Sequence, residues 1–247
     1  MMQKKSKAKR ILIAVGIVVA VLVCGFIWYV NDYYRADDVA LAAASDANGA
    51  ADGVEVRELA GGDLAFVPED ATVGLIFYPG GKVQPEAYAP LMERCAQQGV
   101  LCVLVKPLFN LAILDMDAAA GIQEQFPEIG TWLIAGHSLG GVVASDYLSR
   151  HSGEFAGIVF LASYPDADLA DYDGKALSLI GTVDGVVDRG KYEAANQKLP
   201  ADAAELAITG GNHAYFGNYG EQSGDGRATI TREDQQAQTV DAIVAMI

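Results

Sequence analysis

The sequence predicts an α/β fold: a mostly parallel sheet covered by helices on both faces, with little or no lid, preceded by one N-terminal transmembrane helix. Three observations predict it. Residues 11–30 carry no charged side chain. From residue 54 onward, short apolar runs alternate with segments of helical periodicity. One of those runs, WLIAGH, stops at Ser138-Leu139-Gly140-Gly141, and a new apolar segment begins at once. Alternating strands and helices imply crossover connections and a parallel sheet, whose chemistry gathers beyond the carboxyl ends of its strands.

The N-terminal element comes first. Residues 1–10 hold Lys4, Lys5, Lys7, Lys9 and Arg10 and no acid. They read as a cytoplasmic head. The run ILIAVGIVVAVLVCGFIWYV at 11–30 spans about 30 Å as a helix, the thickness of a bilayer core. Trp28, Tyr29, Tyr33 and Tyr34 mark its far end as an aromatic belt. Basic residues stay inside, so the following domain is expected outside the cytoplasm. The competing reading is a signal peptide cut near Ala42-Ala43-Ala44, but this apolar run is longer than a signal core and bulky aromatics follow it. Cys24 follows Val23, too large for a lipoprotein cleavage site. Residues 31–53, rich in Ala, Asp, Asn and Gly, read as a linker. Residues 54–247 form the remaining domain. The net charge is −15. The first ten residues contribute five positive charges, so the rest carries about −20, which repels nucleic acid and anionic headgroups.

Within the domain, VEVREL and DLAFVPE flank Gly61-Gly62 as a hairpin. TVGLIFYP is a continuous apolar run, as a strand covered on both faces requires. Residues 85–98 show helical spacing through Tyr88, Leu91, Met92 and Cys95, closed by Gly99. VLCVLVK is the next strand, and residues 113–125 the next helix. TWLIAGH is a strand and Leu139–Arg150 a helix. FAGIVFLAS and ALSLIGTV are strands, followed by a short helix around 189–198. ELAITG is the last strand, and residues 232–247 close the chain as an amphipathic helix. Cys95 and Cys102 lie near enough for a disulfide in an oxidising compartment, with two buried free thiols as the simpler expectation.

Gly136-His137-Ser138-Leu139-Gly140 fits Gly-x-Ser-x-Gly between a strand and a helix. The serine needs a strained backbone at so sharp a turn, and side chains at 136 or 140 would strike the neighbouring element. A serine hydroxyl needs a base. His137 lies inside the turn and points away from Ser138, and His151 follows a helix end. His213 follows the ELAITG strand and sits on the same sheet edge as Ser138. An acid must orient the imidazole. Asp184, ending ALSLIGTVD, is the first candidate, with Asp166 and Asp188 as alternatives; Asp188 is also placed to cap a helix. Two N–H donors should face the developing oxyanion. One is that of Leu139, and the other that of Gly81 in the loop after TVGLIFYP, with Lys82 as the alternative.

FYPGGKVQPEAYAPL, AGHSLGG, GTVDG and GGNHAYFGNYG together resemble the α/β-hydrolase superfamily. More narrowly they resemble its "alpha/beta hydrolase fold-5" branch, distantly similar to dienelactone hydrolases. The likeness covers about residues 54–231. It implies Ser138 as nucleophile, Asp184 as acid and His213 as base. Dienelactone hydrolases use a cysteine nucleophile where this chain has Ser138, so the resemblance does not extend to their reaction.

Only SYPDADLADYDGK separates FAGIVFLAS from ALSLIG, too short for a helical cap, so an open, shallow site is expected. The 107–111 loop offers Phe109 and Leu111, and the 214–231 loop Tyr215, Phe216 and Tyr219, as candidates to wall a substrate pocket. The expected reaction is acyl transfer from a small-molecule ester or thioester, calling for no metal or organic cofactor. An amidase or peptidase on the same triad, and a non-catalytic binding protein on the same fold, remain as alternatives.

Overall fold

In the computed structural model, which describes residues 2–45 and 53–247 and the side chains from residue 9 onward, the apolar runs of the domain become one sheet. Its strands are β1 (Val54–Glu58), β2 (Leu64–Pro68), β3 (Val73–Tyr78), β4 (Val100–Leu104), β5 (Thr131–His137), β6 (Gly157–Leu161), β7 (Lys175–Gly181) and β8 (Ala204–Ile208). The α-helices are α1 (Met2–Asn31), α2 (Asp38–Ala43), α3 (Ala89–Ala96), α4 (Leu139–Arg150), α5 (Arg189–Ala195) and α6 (Arg232–Met246). The strands lie in the order β1-β2-β4-β3-β5-β6-β7-β8. β2 runs antiparallel to both β1 and β4, and the remaining neighbours are parallel. The hairpin joining β1 to β2 turns on Gly61 and Gly62 at φ of 107° and 96°, a region that glycine enters without a Cβ penalty.

Successive side chains of a strand point to opposite faces, and the core divides accordingly. Leu75 and Phe77 join Leu91, Met92 and Ile243, so α3 and α6 cover that face. Ile76 and Tyr78 join Ile134, Val143, Tyr147 and Phe160, so α4 covers the other. Each such side chain, buried from water, contributes roughly 1.5–3 kcal/mol. Residues 162–174, between β6 and β7, hold neither helix nor strand, in keeping with the expected absence of a lid.

Three stretches differ from the reading of the sequence. Residues 113–125 are not a helix: two short 3-10 turns, Ala112–Leu114 and Gln123–Gln125, take their place. The Tyr78 hydroxyl donates to the Met116 carbonyl at 3.1 Å and accepts the Ala119 N–H at 2.9 Å, taking peptide groups that a helix would use. Gly121 then turns the chain at φ 75°. The helix expected at 85–98 begins as a 3-10 turn, Pro85–Tyr88, and becomes α-helical only from Ala89, because Pro90 lacks the N–H to continue a helix already under way.

The third is the expected linker. Residues 34–45 pack onto the domain and belong to the compact unit that begins at Tyr34. The Tyr34 N–H donates to the Lys82 carbonyl, and the Gln84 N–H to the Tyr34 carbonyl, both at 2.8 Å. Asp37 caps α2 by accepting the Ala40 N–H, and Ala40 and Ala43 are buried. The rest of that linker, 46–52, lies outside the described residues. Cys95 and Cys102 are buried free thiols rather than a disulfide. Burial, reinforced by Cys95 beside it, pushes the Cys102 thiol well up. The other unit ends at Tyr33. In it, Lys9–Asn31 is a helical stretch of 23 residues, long and apolar enough to cross a membrane.

Candidate active site

Sheet register decides what meets at the carboxyl edge. β3 and β5 are parallel neighbours with Tyr78 opposite Gly136, so Pro79-Gly80-Gly81 leaves the sheet beside His137 and Ser138. β7 and β8 are parallel neighbours with Gly181 opposite Ile208. Asp184 follows the one by three residues, and His213 the other by five. The chain passes from β3 to β4 on one side and returns to β5 on the other, the reversal at which such sheets open a crevice.

Ser138 stands between β5 and α4 at φ 51°, ψ −122°, a conformation that costs a non-glycine residue of order 1–3 kcal/mol. Its surroundings hold it there. Its N–H donates to the Leu161 carbonyl at 2.9 Å, and its carbonyl accepts the Ser163 hydroxyl at 2.6 Å. A Cβ on Gly136 would lie 2.3 Å from the carbonyl carbon of Gly140, and one on Gly140 would lie 2.3 Å from the Tyr78 carbonyl oxygen. Both contacts are to backbone, so neither side chain has room.

His213 and Asp184 are brought together. The Nδ1–H of His213 donates to Asp184 Oδ2 at 2.9 Å with both side chains buried. Asp184 Oδ1 accepts the N–H groups of Val186 at 2.8 Å and Val187 at 2.9 Å. Burial raises the Asp184 carboxyl. The hydrogen bond and electrostatic attraction of His213, together with the two N–H groups, outweigh that and hold it below its ordinary value. With Nδ1 carrying the proton, Nε2 holds the lone pair. That atom is buried and has no hydrogen-bond partner among the described residues. His213 and Ser138 line one cavity of about 270 Å3, together with Leu139, Val142, Tyr164, Val186, Val187 and Asp188.

The oxyanion candidates separate on the availability of their donors. The Lys82 N–H is taken by the Asn110 carbonyl at 2.8 Å, and the Gly80 N–H by the Tyr88 hydroxyl at 3.1 Å. No hydrogen bond to the described residues occupies the N–H of Gly81 or Leu139. The two residues are in close approach: a Cβ on Gly81 would lie 2.8 Å from Leu139 Cδ2.

The alternatives occupy other places. Asp188 caps α5 by accepting the Lys191 N–H at 3.1 Å, although it also lines the cavity. The exposed Asp166 side chain faces Lys198. His151 stacks on Tyr147 with ring centroids 4.3 Å apart. None of the wall candidates Phe109, Leu111, Tyr215, Phe216 and Tyr219 is among the residues lining the cavity that holds Ser138. Phe109 is 43 % exposed, on a turn of positive φ. Leu111 is buried. Tyr215 lies under the Arg232 guanidinium, 4.8 Å from its ring centroid. Phe216 is buried against the His137 ring at 5.7 Å. The nearby apolar wall comes from Val142 on α4 and from the valine pair following Asp184.

Two participants were not foreseen. The Tyr88 hydroxyl, read from the sequence only as part of a helical apolar face, donates to His137 Nδ1 at 2.8 Å while accepting the Gly80 N–H. His137 Nε2–H in turn donates to the His213 carbonyl at 3.2 Å. Burial, and then the neighbouring His213, push His137 well below the ordinary histidine range, so it stays neutral. A buried Tyr-His pair thus ties together the loop after β3, the serine turn and the loop carrying His213. Ser163, just past β6, is the other; a lone serine at a strand end gives no pattern to single it out.

The model of the alpha/beta hydrolase family matches residues 74–237. Among solved structures, a dienelactone hydrolase from Anabaena variabilis ATCC 29413 is similar, with a TM-score of 0.59 and 15% identity, over 78% of this chain and 97% of that one. Est1E from Butyrivibrio proteoclasticus gives a TM-score of 0.55 and 14% identity over 78% and 98%. TT1662 from Thermus thermophilus gives 0.56 and 17% over the same shares. At these identities the likeness is one of fold. A search of curated proteins found no match.

Proposed function

The chain belongs to the alpha/beta hydrolase family, and from that premise we propose that it is a serine hydrolase that cleaves a small ester or thioester through an acyl-enzyme on Ser138. One observation carries the proposal. The His213 imidazole, oriented by Asp184, leaves a buried Nε2 without a partner among the described residues, on the cavity that also contains the strained Ser138. Buried polar atoms are nearly always paired, and an orphan in a pocket asks for a functional account. A proton taken from an attacking hydroxyl supplies one.

In this reading Ser138 Oγ attacks the carbonyl carbon as its proton passes to His213 Nε2. Asp184 stabilises the imidazolium that forms. The oxyanion takes hydrogen bonds from the N–H groups of Leu139 and Gly81, donors already in place before charge develops. His213 returns the proton to the leaving oxygen or sulfur, then activates water to free the acid. The cavity is just below the usual size of a ligand pocket, and its valines suit a short acyl chain. Asp188 on its wall and a net charge of −15 disfavour anionic substrates. The anchor is α1, with the catalytic unit outside the cytoplasm.

The test uses the full chain in detergent, a fluorophosphonate probe, and p-nitrophenyl esters from acetate to octanoate beside the matching anilides. The expected result is labelling of wild type, none of Ser138→Ala, and turnover highest on the shortest esters. Folded wild type that neither labels nor turns over any substrate would favour a binding protein. Anilide turnover matching that of esters would favour an amidase.

A further inference from the structure

Between Phe216 and Thr231 the chain forms no regular element, yet one carboxylate there reaches both loops that carry Asp184 and His213. From its contacts we infer that Asp225 is a positioning residue that clamps the acid-bearing and base-bearing loops together; this rests on the triad proposed above. Asp225 Oδ1 accepts the N–H groups of Gly185 at 3.1 Å, His213 at 3.2 Å and Gly226 at 2.8 Å, and Oδ2 accepts that of Ala214 at 2.9 Å. Three of these four donors belong to the base itself or to the residues directly following the acid and the base. A carboxylate that only tidied its own loop would reach one segment. This one joins the end of β7 to the end of β8.

The local geometry explains why an acid is needed there. His213 precedes the 3-10 turn Ala214–Phe216, and the first N–H groups of such a turn have no partner within it. Asp225 satisfies two of them from outside, with charge-assisted bonds roughly twice as strong as neutral ones. Its neighbours let it come close. A Cβ on Gly226 would lie 1.8 Å from the Val183 carbonyl oxygen, and one on Gly185 would lie 2.5 Å from that of Gly224. Gly224-Asp225-Gly226 therefore lies flat against the residues leading into and out of Asp184. Asn212 braces the same corner, donating to the Gly226 carbonyl at 2.9 Å and accepting the Tyr215 N–H at 3.0 Å. Asp225 touches no reacting atom. It acts through the backbone positions of Gly185 and His213, and a shift of about 1 Å in such a constellation costs on the order of a hundredfold in rate.

The test is Asp225→Asn in the full chain, which keeps the shape but replaces one acceptor oxygen with a donor. Two readouts are taken on protein shown by circular dichroism to be folded. The first is ester hydrolysis, where kcat is expected to fall at least about tenfold with KM within about twofold. The second is the far-downfield proton resonance of the His213 Nδ1–H bonded to Asp184, expected to be present in wild type and to shift or broaden away in the variant. Should Asp225→Asn not fold, Asp225→Ser, which keeps a single acceptor, is measured in the same way. Unchanged kcat together with an unchanged resonance overturns the clamp. So does a loss of activity that only tracks the unfolded fraction. If wild type hydrolyses no ester, the serine-hydrolase reading fails, and the resonance alone still decides whether Asp225 holds His213 to Asp184.

Discussion

Ser138 keeps its φ of 51° only because two glycines beside it leave no Cβ in the way. Gly140→Ala puts a methyl group 2.3 Å from the Tyr78 carbonyl oxygen, and backbone on both sides must then move. Overpacking of this kind costs about 1–3 kcal/mol. Thermal unfolding should show a melting temperature lower by about 3–10 °C, and ester turnover should fall at least tenfold. Asp184→Asn acts differently. The folded protein holds the Asp184 carboxyl below its ordinary value of 3.8, so the carboxylate stabilises the fold fully above that value and ceases to as pH falls through its lower, folded-state value. Urea unfolding should therefore find the variant less stable than wild type at pH 7, and the gap should narrow below about pH 4. A gap that widened in acid would contradict this assignment of cause. Ester turnover at pH 7 should drop by about 10³–10⁴-fold, the usual consequence of losing the group that orients the imidazole. These residues were legible in the sequence because each stands at the end of an apolar run, where strand periodicity alone fixes the edge it occupies. The pocket wall was not. Phe109, Leu111, Tyr215, Phe216 and Tyr219 stand out in the sequence as apolar loop residues, but which loop side chains turn inward is settled by distant partners, as Phe216 is by His137.

Between elements, the buried Tyr88-His137 pair is the main junction. One hydroxyl satisfies the Gly80 N–H and His137 Nδ1, and His137 Nε2 reaches the His213 carbonyl. Tyr88→Phe keeps the ring and strips the bridge, leaving a buried donor and a buried acceptor unpaired at about 1–3 kcal/mol each. Because the loop after β3 then loses a fixed N–H next to Gly81, the oxyanion donor should loosen as well. Steady-state kinetics should show kcat reduced about three- to thirtyfold, a range below the loss of one full oxyanion donor, with a lower melting temperature. A variant with wild-type stability would mean that the two groups find other partners. The sequence identified the strands, the hairpin and the helices α4 and α6, because their periodicity is strong over many residues. It misjudged residues 113–125, where the Tyr78 hydroxyl takes the Met116 and Ala119 peptide groups out of any helix. No local pattern reports a hydrogen bond to a residue about forty positions earlier.

At the scale of the molecule, the segment that opens the compact unit at Tyr34 is part of the domain's packing. The composition of 34–45 is that of a flexible linker, yet the stretch behaves as a strap. The Tyr34 peptide group bonds the Lys82 and Gln84 backbone, and its hydroxyl accepts the Ser223 N–H at 3.2 Å. Asp37 accepts from Asn218 Nδ2 and pairs with Arg232 at 3.4 Å. The strap thus joins the loop after β3 to the one after His213. A fragment beginning at Tyr34 should melt about 5–10 °C above one beginning at Val54, as two or three kcal/mol of packing and hydrogen bonding imply for a domain of this size. Equal melting temperatures would return the segment to the status of a tether. The proposed orientation rests on charge: five basic residues precede the apolar run, and Asp32, Asp37 and Asp38 lie close behind it, a bias that would keep the basic end cytoplasmic where the run spans a membrane. Ser45, exposed just past α2, is therefore expected on the outer side. In intact cells a membrane-impermeant maleimide should label Ser45→Cys and leave Lys5→Cys unlabelled until the cells are permeabilised. The native thiols interfere little, since Cys95 and Cys102 are buried in the domain and Cys24 lies within the apolar run proposed to span the membrane. The opposite labelling pattern would place the hydrolase domain in the cytoplasm and overturn the proposed orientation.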